Sequence, residues 1–295
     1  MKSEEVRSEV AFRFGEKAFF ILKKTEGCAT MKTKKGGTDM KTFCFTIDDN
    51  IRFFKELTEQ KPSSIFEHPY LAMLRRLHEE LGVKIQLNLF YRLDGFDLSQ
   101  MSDRYADEWR GVSDWLKLSF HSELENVRPY ENSGYDEVYR DCQAVNEQIL
   151  RIASPDSLAK TTTVHYCRTT DEGLRALADN DVLGLLGLFG TAEDPRTSYG
   201  IGEDIAAEIR GGKTVTVDGM AFASIDMVVN AVKIEDILPR LRKLLTRDSI
   251  RIMIHEQYFY GDYKAYQPDY EEKLKLVFGV LCNEGYEPRF FEELI

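Results

Sequence analysis

Asp48 and Asp49 stand side by side, and two adjacent carboxylates repel each other unless a proton or a cation relieves them. A divalent metal is the simplest relief. Alternation along an extended chain would let one aspartate ligate while the other faces substrate as a base. His121 and Glu125 lie four residues apart, a spacing that puts an imidazole and a carboxylate on one side of a helical turn. That donor pair suits zinc or a similar divalent ion, with Glu123 as an alternative carboxylate. Of the five histidines, His121, His165 and His255 each close an apolar, strand-like run, whereas His68 and His78 fall before or within a helix. Asp194, Arg196 and Tyr199 share a polar stretch able to hold a substrate. Each feature also has a plainer reading. The aspartates would cap a helix at Ile51, His121 would bond to backbone with Glu125 in solvent, and residues 194–199 would be a solvated charged loop.

The order of elements decides whether these residues can meet. Residues 42–47 form an apolar, β-branched run ending at the aspartates, the pattern of a buried strand. Asn50 is placed to cap a helix through about residue 58. A second helix is predicted over Pro69–Leu81, with Leu71, Leu74, Leu77 and Leu81 on one face and Gly82 as its stop. The pattern then predicts a strand over 83–91, a helix over 102–112, a strand over 115–120 ending at His121, and a helix over 136–152. A strand over 161–164 ends at His165, Thr170 caps a helix over 170–178, and 181–189 is another apolar strand. Next come a helix over 201–210, a hairpin over 213–223 turning near Asp218-Gly219, and a strand over 224–232. A helix over 234–245, a strand over 250–254 ending at His255, and a helix over Tyr270–Asn283 complete the chain. About seven strands separated by helices make a parallel α/β sheet with right-handed crossovers. Sites in such folds lie beyond the carboxyl ends of the strands, which is where the aspartates and three histidines fall. The glycines of 184–190 lie within a strand and do not make a phosphate loop.

A hydrophobic fraction of 43% in 295 residues is enough for a substantial core. Lys and Arg number 39 against 50 Asp and Glu, a net charge of -11 with no basic run, so nucleic acid is not an expected partner. The five cysteines lack paired ligand spacing, which suits a reducing compartment. With no apolar run of the ~18 residues a membrane helix requires, and no secretory signal pattern at the start, cytoplasmic residence away from membranes is expected. Residues 1–39 read as an N-terminal extension outside the core fold, polar and basic over 23–37, with only 10–22 suited to a short strand or helix. Residues 40–295 read as a single domain. Lys34-Lys35-Gly36-Gly37-Thr38-Asp39-Met40 back-translates into a purine-rich ribosome-binding site and a start codon, so Met40 is the expected native start. Nothing in the sequence specifies the oligomeric state.

Phe45-Thr46-Ile47-Asp48-Asp49-Asn50 resembles the T-F-D-D-G first motif of polysaccharide deacetylases, the carbohydrate esterase family 4 enzymes and their relatives in the glycoside hydrolase/deacetylase barrel superfamily. His121 to Glu125 resembles their second motif, H-S/T-x-x-H, and Ile252-Met253-Ile254-His255 resembles the last, L-x-H. The resemblance runs from about Lys41 to the C-terminus and implies a distorted seven-stranded (β/α) barrel. It implies Asp48 as general base, Asp49 and His121 as metal ligands, and His255 as general acid. It also implies a divalent cofactor, zinc foremost, and removal of an acetyl group from a saccharide or related metabolite, a small-molecule or oligosaccharide substrate that the expected cytoplasmic residence makes intracellular.

This chain departs from the pattern in three places. Asn50 replaces a glycine, and Glu125 stands where the second metal-binding histidine is expected, which makes it a candidate ligand. The third motif, arginine-proline-tyrosine, is missing after the fourth strand, where His165-Tyr166-Cys167-Arg168 stands; Arg128-Pro129-Tyr130 comes too early. His165 is therefore a candidate for binding substrate, as ligand or oxyanion donor, beside Asp194, Arg196 and Tyr199. Two other functions stay open: hydrolysis of another amide or glycosidic bond, and a catalytically inactive carbohydrate-binding barrel.

Overall fold

Thr42–Asn50 (β1) runs nine residues without an exposed side chain, as a parallel strand covered on both faces must. The structure, a computed structural model, describes residues 9–14, 17–22, 40–125, 130–190 and 198–295. Its contacts divide the chain into two units, Met1–Asp39 and Met40–Ile295. In the first, Glu9–Phe14 pairs antiparallel with Lys17–Leu22, in the region suited to a short strand or helix.

The second unit alternates strand and helix. β1 pairs in parallel with Ile85–Leu93 (β2) on one side and with Ser249–His255 (β7) on the other, and β2 pairs in parallel with Leu116–Leu124 (β3). A second sheet holds Thr161–Thr162 (β4), Gly184–Gly187 (β5) and Met220–Ser224 (β6), parallel and in that order. Two seams join the sheets. At one, Leu158 bridges to Leu118 and the Ala159 N–H donates to the Leu118 carbonyl. At the other, the chain leaving β6 passes from β5 to β7: the Ile225 N–H donates to the Gly187 carbonyl, the Asp226 N–H to the Arg251 carbonyl, and Met227–Val228 then pairs with β7. The result is a distorted (β/α) barrel of seven parallel strands.

Eight helices accompany the strands among the described residues: Arg52–Gln60 (α1), Pro69–Leu81 (α2), Ala106–Gly111 (α3), Tyr135–Ile152 (α4), Asp171–Ala178 (α5), Glu203–Arg210 (α6), Ile234–Leu244 (α7) and Tyr270–Asn283 (α8). Pro69 opens α2, and Gly82 closes it at a φ of 69° that costs glycine nothing. Phe43 and Phe45 of β1 pack on Phe278 of α8, with ring centroids 5.3 and 4.6 Å apart, so the site-bearing strand is fixed from outside the barrel.

Four expectations change. Asn50 does not cap α1. It ends β1 inside the barrel, where its Nδ2 donates to the carbonyls of Ile47 and Asn88 and its Oδ1 accepts from the Tyr70 hydroxyl. The helix expected over 102–112 breaks into a 3₁₀ turn, Asp103–Tyr105, and the short α3. The hairpin turns at Asp218 and Gly219 as expected, but its second arm is already barrel strand β6, and the strand expected over 224–232 shrinks to Met227–Val228. The fourth and fifth strands shrink to β4 and β5, and His165 opens a 3₁₀ turn, His165–Cys167, beyond the ladder.

Candidate metal centre

Two β-bulges deliver the first pair of donor side chains. Along β1, Ile47 pairs with Leu87 and Asn50 with Leu89, so β1 carries one residue more than its partner over that span. Asp49 sits in this bulge with a φ of 63°, a left-handed conformation uncommon outside glycine. Along β3, Phe120 pairs with Leu89 and Ser122 with Phe90, which leaves His121 as the extra residue. Bulges re-aim side chains out of simple alternation, and both bulges flank β2 at the same level. The third donor comes from the turn after β4, where Tyr166 and Cys167 take φ values of 60° and 55° directly behind His165.

The three side chains meet. Asp49 Oδ1 lies 3.0 Å from His121 Nε2 and 3.3 Å from His165 Nδ1, and the two imidazole nitrogens are 3.1 Å apart. All three residues are buried, with the Phe90 ring as an apolar wall 5.2 Å from His121 and 5.0 Å from His165. His121 Nδ1 donates to the Thr163 carbonyl oxygen, which leaves Nε2 as a lone pair aimed at a carboxylate oxygen. Two acceptors so placed need a cation or a proton between them. Tetrahedral ligands bonded to zinc at ~2.0–2.2 Å stand ~3.3–3.6 Å from one another, close to the separations here. The donor set fits a divalent metal.

Gln257 completes the hold on Asp49. Its Nε2 donates to Asp49 Oδ2 at 2.7 Å, leaving Oδ1 to the histidines. Burial works to raise the Asp49 pKa, but the histidines around it, His121 and His165 foremost, act the other way and hold the carboxyl well below its usual range. Asp48 is shifted the other way: burial, then the neighbouring charge of Asp49, push its pKa well up. Asn88 holds Asp48 through a 2.6 Å bond from Nδ2, and Asn88 Oδ1 is itself fixed by the Gln86 amide and the Ser119 hydroxyl. His255 sits in register with Asp48 across the β7–β1 pair, its Nδ1 hydrogen-bonded to Asn230 Oδ1 at 2.9 Å. Burial lowers the pKa of both His121 and His255, favouring neutral imidazoles.

One cleft of about 920 Å³ exposes Asp48, Asp49, His121, His165 and His255 together, so residues from the first to the last barrel strand do converge. Glu125 lines the same cleft but stands outside the trio of Asp49, His121 and His165. Glu123 faces outward and pairs with Arg92 at 2.5 Å, which removes it as a ligand. Tyr199 is buried rather than in an open loop. Its hydroxyl donates to the Leu186 carbonyl and accepts from the Val164 N–H, stitching the β4 turn to β5. Asp194 and Arg196 lie outside the described residues. His68 bonds to Glu56 and His78 stacks on Trp115, both away from the cleft. The sequence reading missed Gln257, Asn88 and Asn230. The signal available for Gln257 was its place two residues beyond a strand-end histidine.

No protein-family model matches the chain, and no curated protein matches it by sequence. Solved structures do match. A CE4 family pseudoenzyme from Bacillus anthracis aligns over 86% of this chain and 65% of its own, at 13% identity and a TM-score of 0.51. A putative polysaccharide deacetylase from Mycobacterium smegmatis aligns over 90% of this chain and 93% of its own, at 11% identity and a TM-score of 0.54. A 4-alpha-glucanotransferase from Thermococcus litoralis aligns over 86% and 40%, at 12% identity and a TM-score of 0.58. This chain thus spans just under two thirds of the pseudoenzyme. At these identities the likeness is one of fold. The barrel, with its buried aspartate and two histidines gathered at the C-terminal side of the strands, has the deacetylase-like fold related to carbohydrate esterase family 4.

Proposed function

We propose that this protein is a metal-dependent hydrolase that removes an acetyl group from a saccharide or related metabolite. The observation that carries the reading is the convergence of Asp49, His121 and His165 to within 3.0–3.3 Å of one another, beside an independently held Asp48 and across from His255. Asp49, His121 and His165 would hold the ion, in place of the expected set with Glu125. A divalent ion such as zinc, when bound, supplies Lewis acidity and makes water acidic enough to be activated near neutrality.

The chain's own residues do the rest. Asp48 is a carboxylate that burial and a like charge have made more basic than usual, and Asn88 fixes one of its oxygens so that the other can take a proton from water as general base. Neutral His255 bonds to Asn230 through Nδ1, so Nδ1 carries the hydrogen and Nε2 is left to accept a proton and pass it to the departing amine or alcohol. Left-handed backbone at Asp49 and behind His165 costs of order 1 kcal/mol per residue, and such strain concentrates at functional sites. The Phe90 wall lowers the local dielectric, which strengthens each of these electrostatic interactions.

The test is acetate release from a panel of N- and O-acetylated sugars by protein loaded with zinc, cobalt or manganese, with metal counted by elemental analysis. Stoichiometric metal and acetate release support the proposal. New reducing ends without acetate would mean that the bond cleaved is glycosidic. Tight sugar binding by metal-free protein with no turnover would make this a binding barrel.

A further inference from the structure

Tyr166 is a side chain in the cleft that the chemistry above does not use. Its neighbours His165 and Cys167 are buried, yet Tyr166 is 55% exposed. It lines the same cleft, with its ring centroid 4.2 Å from that of His165. The backbone beneath it is left-handed at two successive residues, with φ of 60° at Tyr166 and 55° at Cys167. Glycine adopts this conformation freely, whereas a residue with a Cβ is strained by it. A tyrosine here goes against local backbone preference, and more than half of the residue is open to the cleft side. On the other side of the centre, Tyr258 lines the cleft with its ring 6.0 Å from His255, and Tyr263 braces it edge-on at 5.2 Å.

Resting on the hydrolase reading above, we propose that Tyr166 is a specificity-determining residue, a platform on which the pyranose ring bearing the acyl group lies. The substrates are then acylated ring sugars, and acyclic acyl compounds lack the part the platform holds. A tyrosine offers a broad apolar face for the C–H side of a sugar and loses little conformational freedom on binding, because it has only two side-chain torsions. The left-handed turn carries that ring next to His165, a member of the candidate metal centre.

The experiment compares wild type with Tyr166→Phe, Tyr166→Ala and Tyr166→Gly. Two probes are used, the trimer of N-acetyl-D-glucosamine and acyclic N-acetylethanolamine. Binding to metal-free protein is read by saturation-transfer NMR, hydrolysis by metal-loaded protein through acetate release, and folding by the melting temperature. The expected result is an about tenfold weaker Kd for the sugar in the Gly and Ala variants, with little change in Phe and none for the acyclic probe. The Gly variant should melt at or above the Ala variant, because glycine relieves the left-handed strain. Sugar binding by Tyr166→Gly equal to wild type, equal losses for both probes, or no sugar binding by wild type would each overturn the platform. Tyrosine-dependent sugar binding without acetate release from either probe would uphold the platform and overturn the hydrolase.

Discussion

Two buried carboxylates at the ends of two paired strands, β1 and β7, are treated in opposite ways. Glu256, next to His255, accepts hydrogen bonds from the N–H groups of Ile51, Arg52 and Phe53 and from the Tyr260 hydroxyl, so both oxygens are fully engaged. It caps α1 from about two hundred residues away in sequence, doing what Asn50 was expected to do. Asp49 is held on strained backbone against two imidazole nitrogens, one of them a lone pair. A carboxylate saturated by donors ties two loops together. One with an oxygen set against a lone pair has the chemistry of a cation ligand. On the proposed function, the difference is that between a structural acid and a metal-holding one.

The sharpest way to break this contrast is to remove each acid in turn. Asp49→Ala should abolish stoichiometric metal and lower acetate release by on the order of a thousandfold or more, with folding intact by circular dichroism. Glu256→Ala should keep its metal and lose about 2–4 kcal/mol of stability in denaturant titration, because three helix N–H groups are left unpaired. Two variants with the same profile would erase the distinction. Glu256 also carries a pH signature. Burial pushes its pKa from 4.5 up to about 7, with the donors from Ile51, Tyr260, Phe53 and Arg52 pulling the other way. A folded pKa above the unfolded one means that its stabilising contribution is complete below about pH 4.5 and is lost as pH rises through about 7. The stability of wild type relative to Glu256→Gln should therefore fall by about 2–3 kcal/mol between about pH 5 and pH 8. A constant or widening gap would show that the backbone donors outweigh burial.

What the sequence made readable was local. The bounds of α2 follow from Pro69 and Gly82, and β1 from an unbroken apolar run, because caps and periodicity are properties of neighbouring residues. The three strand-end histidines could be picked out because parallel strands put their carboxyl ends on one side of a barrel. The rest depends on register and distance. Alternation along β1 does not show which aspartate the bulge turns toward His121, since a bulge is set by the pairing with β2. The choice between Glu125 and His165 needed the turn after β4, whose left-handed residues carry no glycine to announce them. The capping of α1 by Glu256 was out of reach of any local pattern.

The smallest predicted effect concerns Gln257, which lies between the two acids in role: it is neither ligand nor cap, but it sets the orientation of Asp49. An amide beside an ionised carboxylate turns its NH₂ toward it, and Gln257 Nε2 does so at 2.7 Å from Asp49 Oδ2. Its own Oε1 is buried and has no hydrogen-bond partner among the described residues. Methionine has similar length and no donor, and Gln257→Met removes the contact while filling the space. Metal affinity, measured by competition with a chromogenic chelator, should fall about tenfold, in the range found when a ligand's supporting hydrogen bond is lost. The melting temperature should change little, because the unpartnered carbonyl is removed along with the donor. Unchanged affinity would mean that the bulge at Asp49 orients the carboxylate by itself. A large loss of stability would place Gln257 with Glu256 as a structural residue.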